Sequence, residues 1–449
     1  MDFVPPLGKR IYVTQAILCA RFRVPRSRGG GGARDLHRLK AELQTLSARG
    51  RFACVMFPRR QDCLYHANMI LTNARLIFPD GIRDGLEVVV DDGKIAALRE
   101  QSSGRKAVVD LGGNYLSPGF VDLHVHGARA RDTMEVSTEA FQAICDYHAS
   151  GGTTSLLLAT ATAPINKLVE VLGAVRNCRS SITAIAGIHL EGPFISKAKR
   201  GAQRAEFIRD PTSNAVEQLL EYADVIKRVT IAPELPGALR TIEDFRTRGI
   251  SVSGGHSGAW DEDARAAFEH GMRSVTHTFN CMSSARRRGV YRVGGLLEFA
   301  LSEPQISCEL IADGHHVSPT LMKMLYRAKG PGGICLVTDA TAGAGLPDGS
   351  RFSLFGNDCI VESGVCLLAD RSALAGSASR MIDLVRTMVR TIDVPLHEAV
   401  AMATQNPARA IGLENKGQLT VGADADLVVL SLDLRVLQTF AAGEEIWAE

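Results

Sequence analysis

The chain has 449 residues, 45% of them hydrophobic and 22% charged, with a formal net charge of +2. That length is more than one ordinary core needs and suits an α/β barrel carrying a small satellite domain. The near-neutral charge gives no footing for nucleic acid or an anionic membrane as partner, and no apolar run approaches the roughly twenty residues that cross a bilayer.

Residues 1–68 differ in texture from the rest. They carry about a dozen Arg and Lys against four acids, and a Gly run from Gly29 to Gly32. They show little periodic hydrophobicity, so they are read as a disordered extension outside the fold or a mis-assigned start, with Met69 as the expected true start and the preceding segment as spurious upstream translation. An Arg-rich targeting segment is the alternative reading.

From Met69 a strand-like alternation begins, punctuated by turns such as Asp91-Asp92-Gly93. The same texture returns after Lys416. Residues 69–118 and the end of 396–449 are therefore predicted to form one small β-sandwich domain built from both ends of the chain, with a helix opening the 396–449 segment. Between them, 119–395 alternates strand and helix. Eight apolar runs, each ending in polar residues, begin at Gly119, Thr153, Ile185, Val229, Ile250, Ser274, Cys308 and Ile334. Strands alternating with amphipathic stretches imply right-handed crossovers and a parallel sheet, and eight repeats predict closure as a (β/α)8 barrel. The ten cysteines are scattered without a C-x-x-C pair. Cys145, Cys308, Cys335 and Cys366 sit in or beside apolar segments, which points to reduced thiols and a cytoplasmic protein.

Metal-ligating and acid–base side chains fall at the carboxyl ends of these runs, the face where barrel enzymes build their sites. The first run offers His124 and His126, whose i, i+2 spacing puts both rings on one side of a strand. The third offers Glu191, the fifth His256, the sixth His277 and the eighth Asp339. Taken singly, each has an ordinary structural explanation: a lone His at a strand end, a turn before Gly192-Pro193, a helix cap at Asp339. Together, on separate strand ends, they predict a site for a divalent ion with imidazole and carboxylate ligands. Zn suits such a set, and Fe, Mn or Co is tolerated, with one or two ions per subunit.

The order of these residues resembles the amidohydrolase superfamily. Within it, HLEGPF (His189 to Phe194), GGHS (Gly254 to Ser257), THTFN (Thr276 to Asn280), IADGHHV (Ile311 to Val317) and LVTDA (Leu336 to Ala340) resemble the N-acetylglucosamine-6-phosphate deacetylase family. SPGFVDLHVHG (Ser117 to Gly127) and TQNPARAIGL (Thr404 to Leu413) fit the same family, so the likeness runs from Met69 to the C-terminus. The resemblance implies metal-dependent removal of the acetyl group from a phosphorylated amino sugar. It makes Glu191, His256 and His277 the main metal ligands, His124 and His126 the holders of a second ion, and Asp339 the general acid–base. His316 would contact the substrate, while Asn280 and the backbone at Cys281 would bind its phosphate. Arg288, with Arg286 and Arg287 close in register, would reach the substrate of a neighbouring subunit, which implies a homodimer.

Two departures bear on the substrate. Where the family has K-G-A-H, this chain reads Lys199-Arg200-Gly201-Ala202-Gln203, so the amide of Gln203 stands where a substrate-binding His is expected. Where the family reads R-E-P-G, this chain has Arg286-Arg287-Arg288-Gly289. The neighbouring readings are a deacetylase for the galactosamine epimer or another N-acyl amino sugar, a cyclic-amide hydrolase, a nucleobase deaminase, and a barrel without catalysis. A cyclic-amide hydrolase of the dihydroorotase type would carry a Lys at the fourth strand end, where this chain has Ala232-Pro233-Glu234. A deaminase would leave HLEGPF and the Arg-rich loop unexplained.

Overall fold

The computed structural model describes residues 69–101 and 108–449; the reading of 1–68 lies outside them. Eight parallel strands follow one another in spatial order: Phe120–Val125, Thr153–Ala159, Ile185–Glu191, Ile226–Ile231, Ser251–Gly254, Ser274–Val275, Ser307–Leu310 and Ile334–Leu336. All eight predicted runs are strands of this sheet. The first and eighth meet at their carboxyl ends. Val125 bridges Ala340 in parallel, and the Asp339 N–H donates to the His124 carbonyl at 2.9 Å. The barrel is thus tied shut beside the predicted site.

Strands such as Phe120–Val125 and Thr153–Ala159 are buried along their whole length, as parallel strands covered on both faces must be. Amphipathic helices supply the cover. Thr138–Ala149 starts where the Ser137 side chain accepts the Ala140 N–H, and Asp261–His270 opens with three acids in its first turn. Both features match the unpaired N–H groups and positive dipole end of a helix start. The helix residues Phe141, Ile144, Leu168, Leu172 and Phe245 pack with strand residues such as Leu156, Ile188 and Val229 in one apolar core.

Both ends of the chain build the satellite. One sheet of six strands joins Arg75–Phe78, Gly81–Arg83 and Tyr115–Pro118 to Leu427–Leu430, Val436–Ala441 and Glu444–Ala448. A second, of four, holds Met69–Thr72, Leu86–Asp91, Lys94–Glu100 and Val108–Asp110. Leu71, Leu76, Val88, Ile95, Leu116, Leu427 and Phe440 from the two sheets share one core.

One element was not anticipated. After the eighth barrel strand, residues Arg351–Leu354, Asn357–Glu362, Val365–Leu368 and Leu374–Ser377 form a four-stranded antiparallel meander inserted before the last barrel helix, Met381–Arg390. Its fourth strand bridges Ala340 through Ser377, which holds the meander against the carboxyl end of the barrel.

Candidate metal centre

His124 and His126 leave the first strand together, Glu191 ends the third, and His256, His277 and Asp339 lie two or three residues beyond the fifth, sixth and eighth. These six side chains come together. Glu191 Oε1 lies 3.1 Å from His256 Nε2 and 3.2 Å from His277 Nε2, and those two nitrogens are 3.1 Å apart. On the other side, His124 Nε2 and His126 Nε2 are 3.2 Å apart. Glu191 Oε2 is 3.2 Å from His126 Nε2, and Asp339 Oδ1 is 3.4 Å from the same atom. Glu191 therefore stands between two histidine pairs.

The tautomers follow from the partners. His256 Nδ1 faces the Lys199 carbonyl at 2.8 Å, and His277 Nδ1 faces the Asn280 carbonyl at 3.2 Å. A carbonyl only accepts, so in the neutral rings Nδ1 carries the proton and Nε2 a lone pair. Two lone pairs then converge on a carboxylate oxygen, an arrangement that calls for positive charge at its centre. Burial alone would raise the Glu191 carboxyl, but the His124 and His256 rings hold it well below the usual carboxylate range. Burial likewise opposes charging His124 and His256. The Asp339 and Glu191 carboxylates outweigh it for His124, and Glu191 does so for His256, raising both. A buried donor set of nitrogen and oxygen atoms that draws in cationic charge fits a divalent ion.

The backbone is bent to present these groups. His256, His277, Cys281 and Asp339 have φ of +45°, +32°, +49° and +48°. Non-glycine residues in this left-handed region cost on the order of 1–3 kcal/mol each, and such strain gathers at functional sites. Gly192 shows the same crowding from the other side: at φ +79° a Cβ there would lie 2.2 Å from Thr162 Oγ1.

A cavity of about 220 Å³ opens over the cluster. Gln203, Asn280, Cys281 and His316 all line it beside Asp339. His316 Nδ1 is 2.7 Å from Asp313 Oδ2; burial works against charging the ring, but this carboxylate raises its pKa. Gln203 is bound more deeply than a substrate contact alone requires. Its Oε1 accepts the Thr162 N–H at 2.8 Å, and its Nε2 donates to Glu191 Oε2 at 2.7 Å. One N–H remains for a ligand.

Arg288 is not brought to this cavity. It sits on an exposed hairpin of Arg286–Arg288 and Tyr291–Val293, paired with Glu262 and stacked on Trp260, 4.6 Å from the ring centroid. Arg286 stacks on the same ring at 3.6 Å. The Arg287 side chain has no hydrogen-bond or ion-pair partner among the described residues, although its backbone pairs with Arg292. No Lys or Arg among the described residues lines the cavity. Sequence reading missed the wall contributed by the inserted meander, Leu354, Phe355, Leu374 and Gly376. The signal for it was present: turns at Phe355-Gly356, Ser363-Gly364 and Asp370-Arg371 recur at the spacing of short antiparallel strands.

A closed parallel barrel with imidazoles and carboxylates gathered at its carboxyl end defines the class of barrel metallohydrolases. The chain belongs to the amidohydrolase family, whose model matches residues 115–446. It is 33% identical over 389 residues to N-acetylglucosamine-6-phosphate deacetylase of Lysinibacillus sphaericus, a match covering 85% of this chain and 98% of that one. It is 31% identical over 380 residues to N-acetylgalactosamine-6-phosphate deacetylase of Escherichia coli O157:H7, covering 84% and 98%. The crystal structure of N-acetylglucosamine-6-phosphate deacetylase from Pasteurella multocida superposes with a TM-score of 0.80 at 32% identity, covering 85% of this chain and 100% of that one. Membership of the family implies a divalent metal, and the Glu191, His256, His277 and His124, His126, Glu191 groups are of the kind that hold one.

Proposed function

We propose that this chain hydrolyses the acetamide of N-acetylglucosamine 6-phosphate to acetate and glucosamine 6-phosphate, in amino-sugar catabolism. The observation that carries the reading is the position of Asp339, 3.4 Å from His126 and on the cavity wall beside the donor cluster. Glu191, His256 and His277 are assigned as the main ligands, with His124 and His126 for a second ion. Zn is assigned as the metal on the nitrogen and oxygen donor set. A divalent ion held there supplies Lewis acidity, polarising the amide carbonyl and lowering the pKa of water.

Asp339 accepts the proton that water loses as its oxygen bonds the carbonyl carbon. It then returns that proton to the amide nitrogen as the C–N bond breaks, so acetate and the free amine leave. Gln203 keeps Glu191 oriented, and its remaining N–H meets a substrate oxygen. His316, held by Asp313, contacts the sugar. Asn280 and the backbone N–H of Cys281 bind the phosphate, whose binding energy fixes the acetamido group remotely from the bond broken.

No Lys or Arg among the described residues lines the cavity, and an Arg supplied across a homodimer interface, as the family resemblance implies, would give the phosphate dianion its charge-assisted hydrogen bonds. The hairpin of Arg286, Arg287 and Arg288 is the assigned donor. Arg288 must exchange Glu262 for phosphate, whereas the Arg287 side chain is already without a partner among the described residues. Seven unpaired described cysteines suit the reducing cytoplasm.

The test is acetate release from N-acetylglucosamine 6-phosphate, its galactosamine epimer and unphosphorylated N-acetylglucosamine. The reading predicts fast turnover only with phosphate present and preference for the glucosamine compound. Preference for the epimer would move the assignment to the galactosamine activity. Equal turnover without phosphate would overturn the phosphosugar assignment.

A further inference from the structure

Arg228 in the fourth strand and Glu309 in the seventh are buried to 0% and 1% exposure, with Nε and Oε1 2.8 Å apart. The reaction as proposed uses neither. A buried ion pair contributes little net stability, because desolvation offsets most of the attraction. Its presence is explained by what else it touches.

Glu309 Oε2 lies 3.4 Å from His124 Nδ1 and accepts the His277 backbone N–H at 3.2 Å. One carboxylate thus braces residues from both histidine pairs. The four rings differ in what faces Nδ1. His256 and His277 face backbone carbonyls. His126 Nδ1 is buried without a partner among the described residues. At His124 the group is the Glu309 carboxylate, whose other oxygen faces the Arg228 guanidinium. Arg228 is itself tied in place, donating from Nη2 to Ser253 Oγ at 3.1 Å. Ser253 Oγ in turn meets Thr276 Oγ1 at 2.7 Å, next to His277.

We infer that Glu309, fixed by Arg228, is the positioning residue for the second metal site. It holds His124 with Nδ1–H toward the carboxylate, so that Nε2 is presented beside His126 Nε2 and Glu191. A carboxylate behind a ligating imidazole fixes its tautomer and orientation and raises its basicity. This rests on the proposed metal reading and adds to it which ion depends on the buried pair. At the ion held by Glu191, His256 and His277 both imidazoles are oriented by backbone carbonyls, and Glu309 reaches that group only through the His277 backbone N–H, so its loss falls mainly on the second ion.

The test uses the full chain, stripped with chelator and titrated with Zn under equilibrium dialysis, with bound ions counted per chain. Wild type takes up two. In Glu309→Gln the first ion binds as before and the second about 10- to 100-fold more weakly. Arg228→Met/Glu309→Leu removes both charges and leaves neither buried alone, so it keeps the thermal midpoint near wild type yet shows the same loss of the second ion. A double variant that binds both ions as tightly as wild type overturns the inference. So does loss of both ions together, or failure of the double variant to fold, either of which makes the pair structural. Acetate release by the wild type separates the two layers. A wild type that turns over but never takes up more than one ion overturns this inference alone, and two ions without turnover overturns the deacetylase reading alone.

Discussion

The satellite sandwich and the carboxyl end of the barrel are both made of short strands, yet they bury opposite kinds of side chain. In the sandwich, Leu71, Leu76, Val88, Ile95 and Leu116 fill the interior. Its buried acids, Glu87 and Asp426, each lie against a more exposed base, Arg99 and Lys416. At the barrel end, four histidines, Glu191, Glu309, Arg228 and Asp122 are all buried, and the backbone is forced into left-handed turns at His256, His277 and Asp339. Left-handed non-glycine residues occur in the first region too, at Asn73, Asp92, Leu434 and Ala442 in the connections between strands, but in the second they fall on the candidate site's own side chains. Asp122 shows how far this goes. Burial lifts its carboxyl to about 7 although Thr338 Oγ1 donates to it at 2.6 Å.

Substitutions in the two regions should therefore separate activity from stability. The largest effect is expected for Asp339→Asn, which should lower kcat by about 10²- to 10⁴-fold. Its thermal midpoint should stay near that of wild type, since Asn keeps the size of the side chain and its backbone hydrogen bond to His124. Unchanged kcat would remove Asp339 from the chemistry. The converse is Leu116→Ala, at 0% exposure in the sandwich core. It should cost about 2–5 kcal/mol of stability, read by denaturant unfolding, while kcat and KM of the folded enzyme hold. A kcat loss in the folded fraction would mean that the two regions are coupled.

Next comes the Arg hairpin. Removing one charge-assisted hydrogen bond should cost about 1.5–3 kcal/mol of binding, so Arg287→Ala or Arg288→Ala should raise KM by roughly tenfold or more. The phosphorylated substrate alone should feel it, and the variant that does so identifies the Arg that meets the phosphate. His316 offers a pH test of the same cavity. Its pKa is raised above the ordinary 6.5, so the ring stays charged past that pH and loses its charge as pH rises through the folded value. KM for the anionic substrate should climb across that window, and His316→Gln should flatten the climb. A profile with the same shape in the variant would assign the titration elsewhere. The smallest effect is expected at Arg176→Ala, whose exposed pair with Asp224 is worth no more than about 1 kcal/mol.

The barrel was legible because its strands are continuous apolar runs that switch to polar residues where they meet the site. The side chains that gather at the barrel end were legible for the same reason: His or Glu at such a switch stands out, as at Glu191 and His256. The inserted meander was not, because its strands are short and largely half exposed, as in Arg351–Leu354 with only Leu354 buried, and its longest apolar stretch, Val365–Leu368, is brief. Glu309 sat inside a predicted strand, where a single charge looks like an interruption, and Arg228 fell one residue before the predicted fourth run, which the structure extends back to Ile226. Only the fold brings the fourth strand's guanidinium to the seventh strand's carboxylate and both to His124. The role of Gln203 was hidden likewise: the sequence placed it near substrate, and three dimensions gave it Glu191 and Thr162 as partners.

The most direct test of the account is activity against bound metal. The full chain is stripped with chelator, reloaded stepwise with Zn, and assayed for acetate release from N-acetylglucosamine 6-phosphate at each measured ion count. The account predicts no turnover at zero ions and a return of activity as ions bind. Full turnover by the ion-free protein would contradict it, and the histidine and carboxylate cluster would then need another explanation.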